Sequence, residues 1–289
     1  MRLSIRITTT LALIGLAAWL TVTVPDVLRA QPPTAAKGKG PAKGPVRPPD
    51  PRVQQRTYVF EDTGEKMPYA LFVSSKVSPD RKNPLIVALH GYGGDGNSLL
   101  RGEALDLAEE GGYILVGPMG YNETGWYGSP VIIVGGGGGK GNSSAIPEPP
   151  NLAELSEKDV LNVLHMMQQE FNVDEDRTYL MGHSMGGAGA LFMGPKYVDT
   201  WAAVASMAPA AFRMDPETLG PVKDKMPLLL LHGDADTVVP VDVSRRWNQA
   251  ATNFKMKDFV YHELPGADHG TVITQGIPEI FEYFEAYSK

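Results

Sequence analysis

The chain of 289 residues contains no cysteine. That single absence excludes disulfides, a thiol nucleophile, thioether lipidation and thiolate metal sites. Basic residues are the minority, 26 against 33 acidic, for a formal charge of −7. The deficit is sharper than that total indicates, because the first 52 residues are basic. Residues 1–30 carry a net +2 and residues 31–52 a net +4, and subtracting both leaves −13 on the remainder. A body that acidic repels phosphate backbones, which argues against a nucleic-acid partner. Histidine is also scarce, with six in the chain, so any imidazole base comes from a short roster.

Long apolar runs are missing except at the amino end. Arg2 and Arg6 precede LALIGLAAWL and TVTV, the pattern of a basic segment followed by the hydrophobic stretch of an export signal. Residues 1–30 therefore read as a signal peptide or N-terminal anchor. Cleavage after Ala30 releases the chain, whereas a retained segment makes the membrane a partner. Leu28 is a poor fit to the small residue favoured two places before the cleavage residue. Residues 31–52, rich in Pro, Gly and Lys, read as a solvated linker. A single α/β domain is expected over 53–289.

Within 53–289, short apolar runs alternate with amphipathic stretches, which predicts a doubly wound, mostly parallel sheet flanked by helices. An antiparallel pair opens it at Val53–Phe60 and Tyr69–Ser74. Further strands are expected at Pro84–His90, Tyr113–Gly117, Arg177–Gly182, Trp201–Met207, Pro227–His232 and Phe259–Leu264. Helices are expected at Ser98–Glu110, Leu155–Phe171, Met185–Gly194, Val241–Asn253 and Ile277–Ser288. Residues 118–150 break the alternation. They hold Trp126, Tyr127 and the run from Gly135 to Gly141, and a loop that long is commonly functional or mobile.

Gly182-His183-Ser184-Met185-Gly186 fits G-x-S-x-G between an apolar run and a small-residue helix. That setting lifts a serine hydroxyl clear of a sheet. Serine near neutral pH needs a base within hydrogen-bond reach. Downstream histidines are His232, His262 and His269. His269 lies in the polar loop PGADHG after the last expected strand, where it can reach the sheet's carboxyl edge. His262 falls inside a strand, and His232 reads as a loop anchor. A carboxylate must orient the imidazole. LLLLHGDADTVVP offers Asp234 and Asp236; spacing favours Asp236 and leaves Asp234 as a turn former. An oxyanion hole needs two N–H groups, here Met185 and, from the turn His90–Gly94, Tyr92. Trp126 and Tyr127 are candidates for substrate contact, or equally for pinning their loop to the core.

Four motifs in this order, LHGYGGD, GHSMGG, HGDADTVVP and GADHG, resemble the α/β-hydrolase superfamily. The likeness covers about residues 53–289 and is greatest to secreted esterases related to polyhydroxybutyrate depolymerase, feruloyl and acetyl-xylan esterases and dienelactone-hydrolase-like proteins. It implies that Asp236 occupies the acid position. It also implies an exported serine hydrolase acting on a small-molecule or carbohydrate-linked ester, with no metal or organic cofactor. A peptidase or amidase would use the same residues, and a non-catalytic binding module could keep the same fold. The glycine-rich segment near 135–141 has no counterpart in these relatives.

Overall fold

The computed structural model describes residues 48–130 and 149–289. The expected leader, the linker up to residue 47 and the Gly135–Gly141 segment lie outside the described residues. The last residues of the expected linker are held to the body: Arg52 Nη1 donates to Asp106 Oδ1 at 2.6 Å.

Eight strands form one sheet in the order β1-β2-β4-β3-β5-β6-β7-β8. They are β1 (Gln54–Phe60), β2 (Glu65–Val73), β3 (Asn83–Leu89), β4 (Ile114–Pro118), β5 (Val173–His183), β6 (Ala203–Met207), β7 (Leu228–Gly233) and β8 (Phe259–Leu264). The β1–β2 and β2–β4 pairings are antiparallel, and every pairing from β4 through β8 is parallel. The expected mostly parallel sheet, with its antiparallel opening pair, is the sheet observed.

The continuous apolar runs exist because the central strands are covered on both faces. All seven residues of β3 are buried. Leu85, Val87 and Leu89 join one core, while Ile86 and Ala88 join the other. Helices α2 (Leu152–Glu170), α3 (Met185–Lys196) and α4 (Asp242–Phe254) cover the first face. Helices α1 (Glu103–Gly111) and α5 (Thr271–Glu285) cover the second. Each fully buried leucine or valine contributes on the order of 1.5–3 kcal/mol, so a one-residue register slip of β3 would disturb both cores.

Two helix starts differ from the sequence expectation by five or more residues. Helix α1 begins at Glu103 instead of near Ser98, because Asn97 and Ser98, residue types that could cap a helix there, use their side chains elsewhere. Ser98 Oγ accepts the Asp95 N–H at 3.1 Å, and Asn97 pairs with Gln55 on β1. Helix α5 begins at Thr271, six residues before Ile277. Asp268 Oδ1 accepts from Thr271 N–H at 2.8 Å and from Gly270 N–H at 3.0 Å, which starts the helix immediately after His269. The turns after β3, β5, β7 and β8 all leave the carboxyl edge of the sheet, where ligands bind in open α/β folds.

Candidate active site

Strand β5 delivers Ser184 into a strained turn. Its φ and ψ are 58° and −114°, a conformation that costs a non-glycine residue on the order of 1–3 kcal/mol. Neighbouring contacts hold it there. Ser184 N–H donates to the Met207 carbonyl at 2.9 Å, and its own carbonyl accepts from Ala188 at 3.0 Å and Ala210 at 2.9 Å. The flanking glycines are steric requirements. A Cβ on Gly182 would strike the Gly186 carbonyl, and one on Gly186 would strike that of Leu89. The Ser184 side chain stands at the start of α3 with the residue only 8% exposed.

His269 Nε2 lies 2.9 Å from Ser184 Oγ, and its Nδ1 lies 2.7 Å from Asp236 Oδ2. An ionised carboxylate only accepts, so Nδ1 carries the ring hydrogen and leaves Nε2 free to accept the serine O–H. The other oxygen of Asp236 accepts N–H groups from Val238 at 2.8 Å and Val239 at 2.9 Å. Burial pushes the Asp236 carboxyl upward, but the His269 bond and these two backbone bonds outweigh it and hold the pKa below the ordinary value.

Asp234 has a different partner from the one expected. Rather than closing its own turn, its Oδ1 accepts the Gly266 N–H at 2.7 Å and so ties the loop after β7 to the loop after β8. The acid and imidazole loops are thereby fixed to each other. His262 is exposed and paired with Glu279 at 2.6 Å, away from the relay.

The turn after β3 closes the other side. An ideal Cβ on Gly91 would lie 3.4 Å from Ser184 Cβ, which sets this turn against the serine. Tyr92 follows it, and Met185 begins α3, where a first-turn N–H has no intrahelical acceptor. The His90 ring nitrogens lie 2.8 Å from the carbonyls of Gly91 and Met119. Gly93 N–H reaches the Glu123 carbonyl at 2.9 Å. Both contacts brace the turn against the 119–128 loop.

Trp126 and Tyr127 diverge in role. Tyr127 is fully buried; its hydroxyl donates to the His90 carbonyl at 3.1 Å and its N–H donates to Ser156 Oγ at 2.9 Å. It is the pin of the loop and presents no surface to a ligand. Trp126 is only partly covered, and its ring centroid lies 6.3 Å from that of Tyr92, itself 64% exposed.

Two side chains around the site, His183 and Asp159, escaped sequence reasoning, and a third, His232, read as a loop anchor, lies closer to the relay than that reading implies. His183 Nε2 donates to the His269 carbonyl at 2.7 Å. Burial, with the nearby His269, pushes its pKa down to about 3. His232 sits fully buried beside Asp236. Asp159, also fully buried, accepts from Gly120 N–H at 2.7 Å and from Tyr58 O–H at 2.5 Å. The only signal for the two histidines is that each ends an apolar strand run; for Asp159 it is a carboxylate on the apolar side of α2.

The profile of the family described as "Putative esterase" matches residues 61–221. The protein named "Putative esterase NocK", from Nocardia uniformis subsp. tsuyamanensis, is 30% identical over 168 residues, 55% of this chain and 42% of that protein. A thermostable esterase superposes with a TM-score of 0.62 at 25% identity, covering 82% of this chain and 64% of that one. This chain thus spans under two thirds of either relative. The ferulic acid esterase of Anaeromyces mucronatus shares the fold, with a TM-score of 0.60 at 18% identity over 86% of this chain and 94% of that one.

Proposed function

The chain belongs to the esterase family, and from that membership we propose that it hydrolyses carboxylic esters through an acyl-enzyme, with Ser184 as nucleophile. The observation that carries the reading is the unbroken line of hydrogen bonds from Ser184 through His269 to Asp236, at 2.9 and 2.7 Å. His269 Nε2 takes the serine proton as Oγ attacks the ester carbonyl. The N–H groups of Met185 and Tyr92 receive the charge that develops on the carbonyl oxygen. His269 then returns the proton to the departing alkoxide oxygen, and the alcohol leaves. Water, activated by the same imidazole, attacks the acyl-enzyme and releases the acid. Asp236 holds the ring in the required tautomer and stabilises the imidazolium without taking its proton.

The substrate class proposed is a small or carbohydrate-linked ester, met outside the cell. Export rests on Arg2, Arg6 and the apolar stretch that follows them. Recovery of the full-length protein only in the cytosol of its host would refute that part.

The catalytic part is tested with an alkyl fluorophosphonate and two substrate panels, p-nitrophenyl esters and peptide p-nitroanilides. The expected result is labelling that Ser184→Ala abolishes, with turnover of esters far above anilides. Anilide turnover exceeding ester turnover assigns a peptidase instead. Absence of both labelling and turnover assigns a binding module.

A further inference from the structure

Strand β7 ends in an imidazole outside the relay. His232 is fully buried. Its Nδ1 lies 2.7 Å from Ser244 Oγ on α4, and its Nε2 lies 2.9 Å from the Val239 carbonyl and 3.3 Å from Asp236 Oδ2. A carbonyl only accepts, so Nε2 carries the hydrogen. Burial holds the His232 pKa below the ordinary value, which keeps the ring neutral. Its unprotonated Nδ1 then accepts the Ser244 hydroxyl hydrogen. Nε2–H is thus bonded to the Val239 carbonyl, and the carboxylate oxygen that already receives His269 lies 3.3 Å from the same nitrogen.

We propose that His232 is a positioning residue for the relay, donating Nε2–H to Asp236 Oδ2 in an orientation that Ser244 selects. The inference rests on the Ser184–His269–Asp236 reading above. Two backbone N–H groups anchor Oδ1, and two imidazoles locate Oδ2. A loop anchor would need only the bond to Val239. The second approach, to the buried carboxylate, gives the residue a consequence for chemistry. Without it, Oδ2 keeps a single donor, and an under-solvated carboxylate holds the catalytic imidazole less well.

The test compares His232→Leu with His232→Gln, whose amide nitrogen can stand where Nε2 stood. With p-nitrophenyl acetate, His232→Leu is expected to lower kcat about tenfold, the effect of losing one bond to a charged group, with KM within about twofold. The downfield proton resonance of the His269–Asp236 bond shifts or broadens in the Leu variant. His232→Gln restores most of kcat and the resonance. A folded Leu variant with wild-type kcat and resonance overturns the proposal, as does a Gln variant as impaired as Leu. If the Leu variant does not fold, Ser244→Ala decides: a kcat about threefold lower with an altered resonance supports the role, and no change in either overturns it. Ser184→Ala separates the two levels. Surviving ester turnover there sinks the relay itself, whereas an inactive Ser184→Ala beside a wild-type-like His232→Leu sinks only the positioning role.

Discussion

The ring of His183 lies 4.7 Å from that of His269, and its Nε2–H is given to the His269 backbone carbonyl at 2.7 Å. The residue beside the nucleophile therefore holds the main chain of the base. This contact links the elbow after β5 to the loop after β8 independently of the relay between their side chains.

That link has a pH cost. His183 stays neutral when folded, with a pKa near 3, and takes a proton near 6.5 when unfolded. The unfolded state thus binds more protons between those values, and stability falls as pH drops from about 6.5 toward about 3. One such proton accounts for at most about 1.4 kcal/mol per pH unit. His232, held neutral by its own burial, acts in the same direction. His183→Gln keeps a donor and removes one titration, so its urea midpoint should fall less between pH 7 and pH 4 than that of the wild type. Parallel slopes would remove His183 from the account.

Strain at Ser184 predicts a trade between stability and activity. Its dihedrals of 58° and −114° are accessible to glycine and costly for alanine. Ser184→Gly should therefore melt above Ser184→Ala, with a difference of about 1 kcal/mol after the extra freedom glycine brings to the unfolded chain. Both variants should lose kcat by several orders of magnitude. Equal melting temperatures would show that the turn stores no strain.

The glycine that follows is predicted to be intolerant. Gly186→Ala drives a Cβ into the Leu89 carbonyl, backbone against backbone, so β3 or α3 must shift. A loss of roughly 3 kcal/mol or poor soluble yield is expected. Wild-type stability in thermal melts would mean the two elements are free to separate.

Trp126 and Tyr127 should part company under mutation. Trp126→Ala should raise KM for esters of aromatic acids while sparing acetate esters, because its partly covered ring faces Tyr92. Tyr127→Phe removes a buried bond to the His90 carbonyl and should cost about 1 kcal/mol of stability. It should affect all esters alike, since it acts through the turn after β3. A selectivity profile in which the two are exchanged would contradict these assignments.

Much of this was legible along the chain. Runs such as PLIVALH identify strands because a strand covered on both faces has no polar positions to alternate with. Helix α1 starts later than its sequence suggests because Asn97 and Ser98 spend their side chains on Gln55 and Asp95, and nothing local distinguishes a cap from a turn. Helix α5 begins six residues before Ile277, with Pro278 inside it, because Asp268 accepts the N–H groups of Gly270 and Thr271. Spacing favours Asp236 over Asp234 along the chain, but nothing local shows that Asp234 reaches Gly266 while Asp236 reaches His269.

By itself the sequence determined the order of strands and helices, the elbow at Ser184 and the short roster of bases, because periodicity, glycine sterics and residue chemistry act over a few neighbours. Only the tertiary structure decided that Asp234 ties its loop to Gly266, that Tyr127 is a pin, and that His183 and His232 flank the relay. Those relationships join residues up to 86 positions apart, and no local pattern encodes which loops the sheet will bring to the same edge.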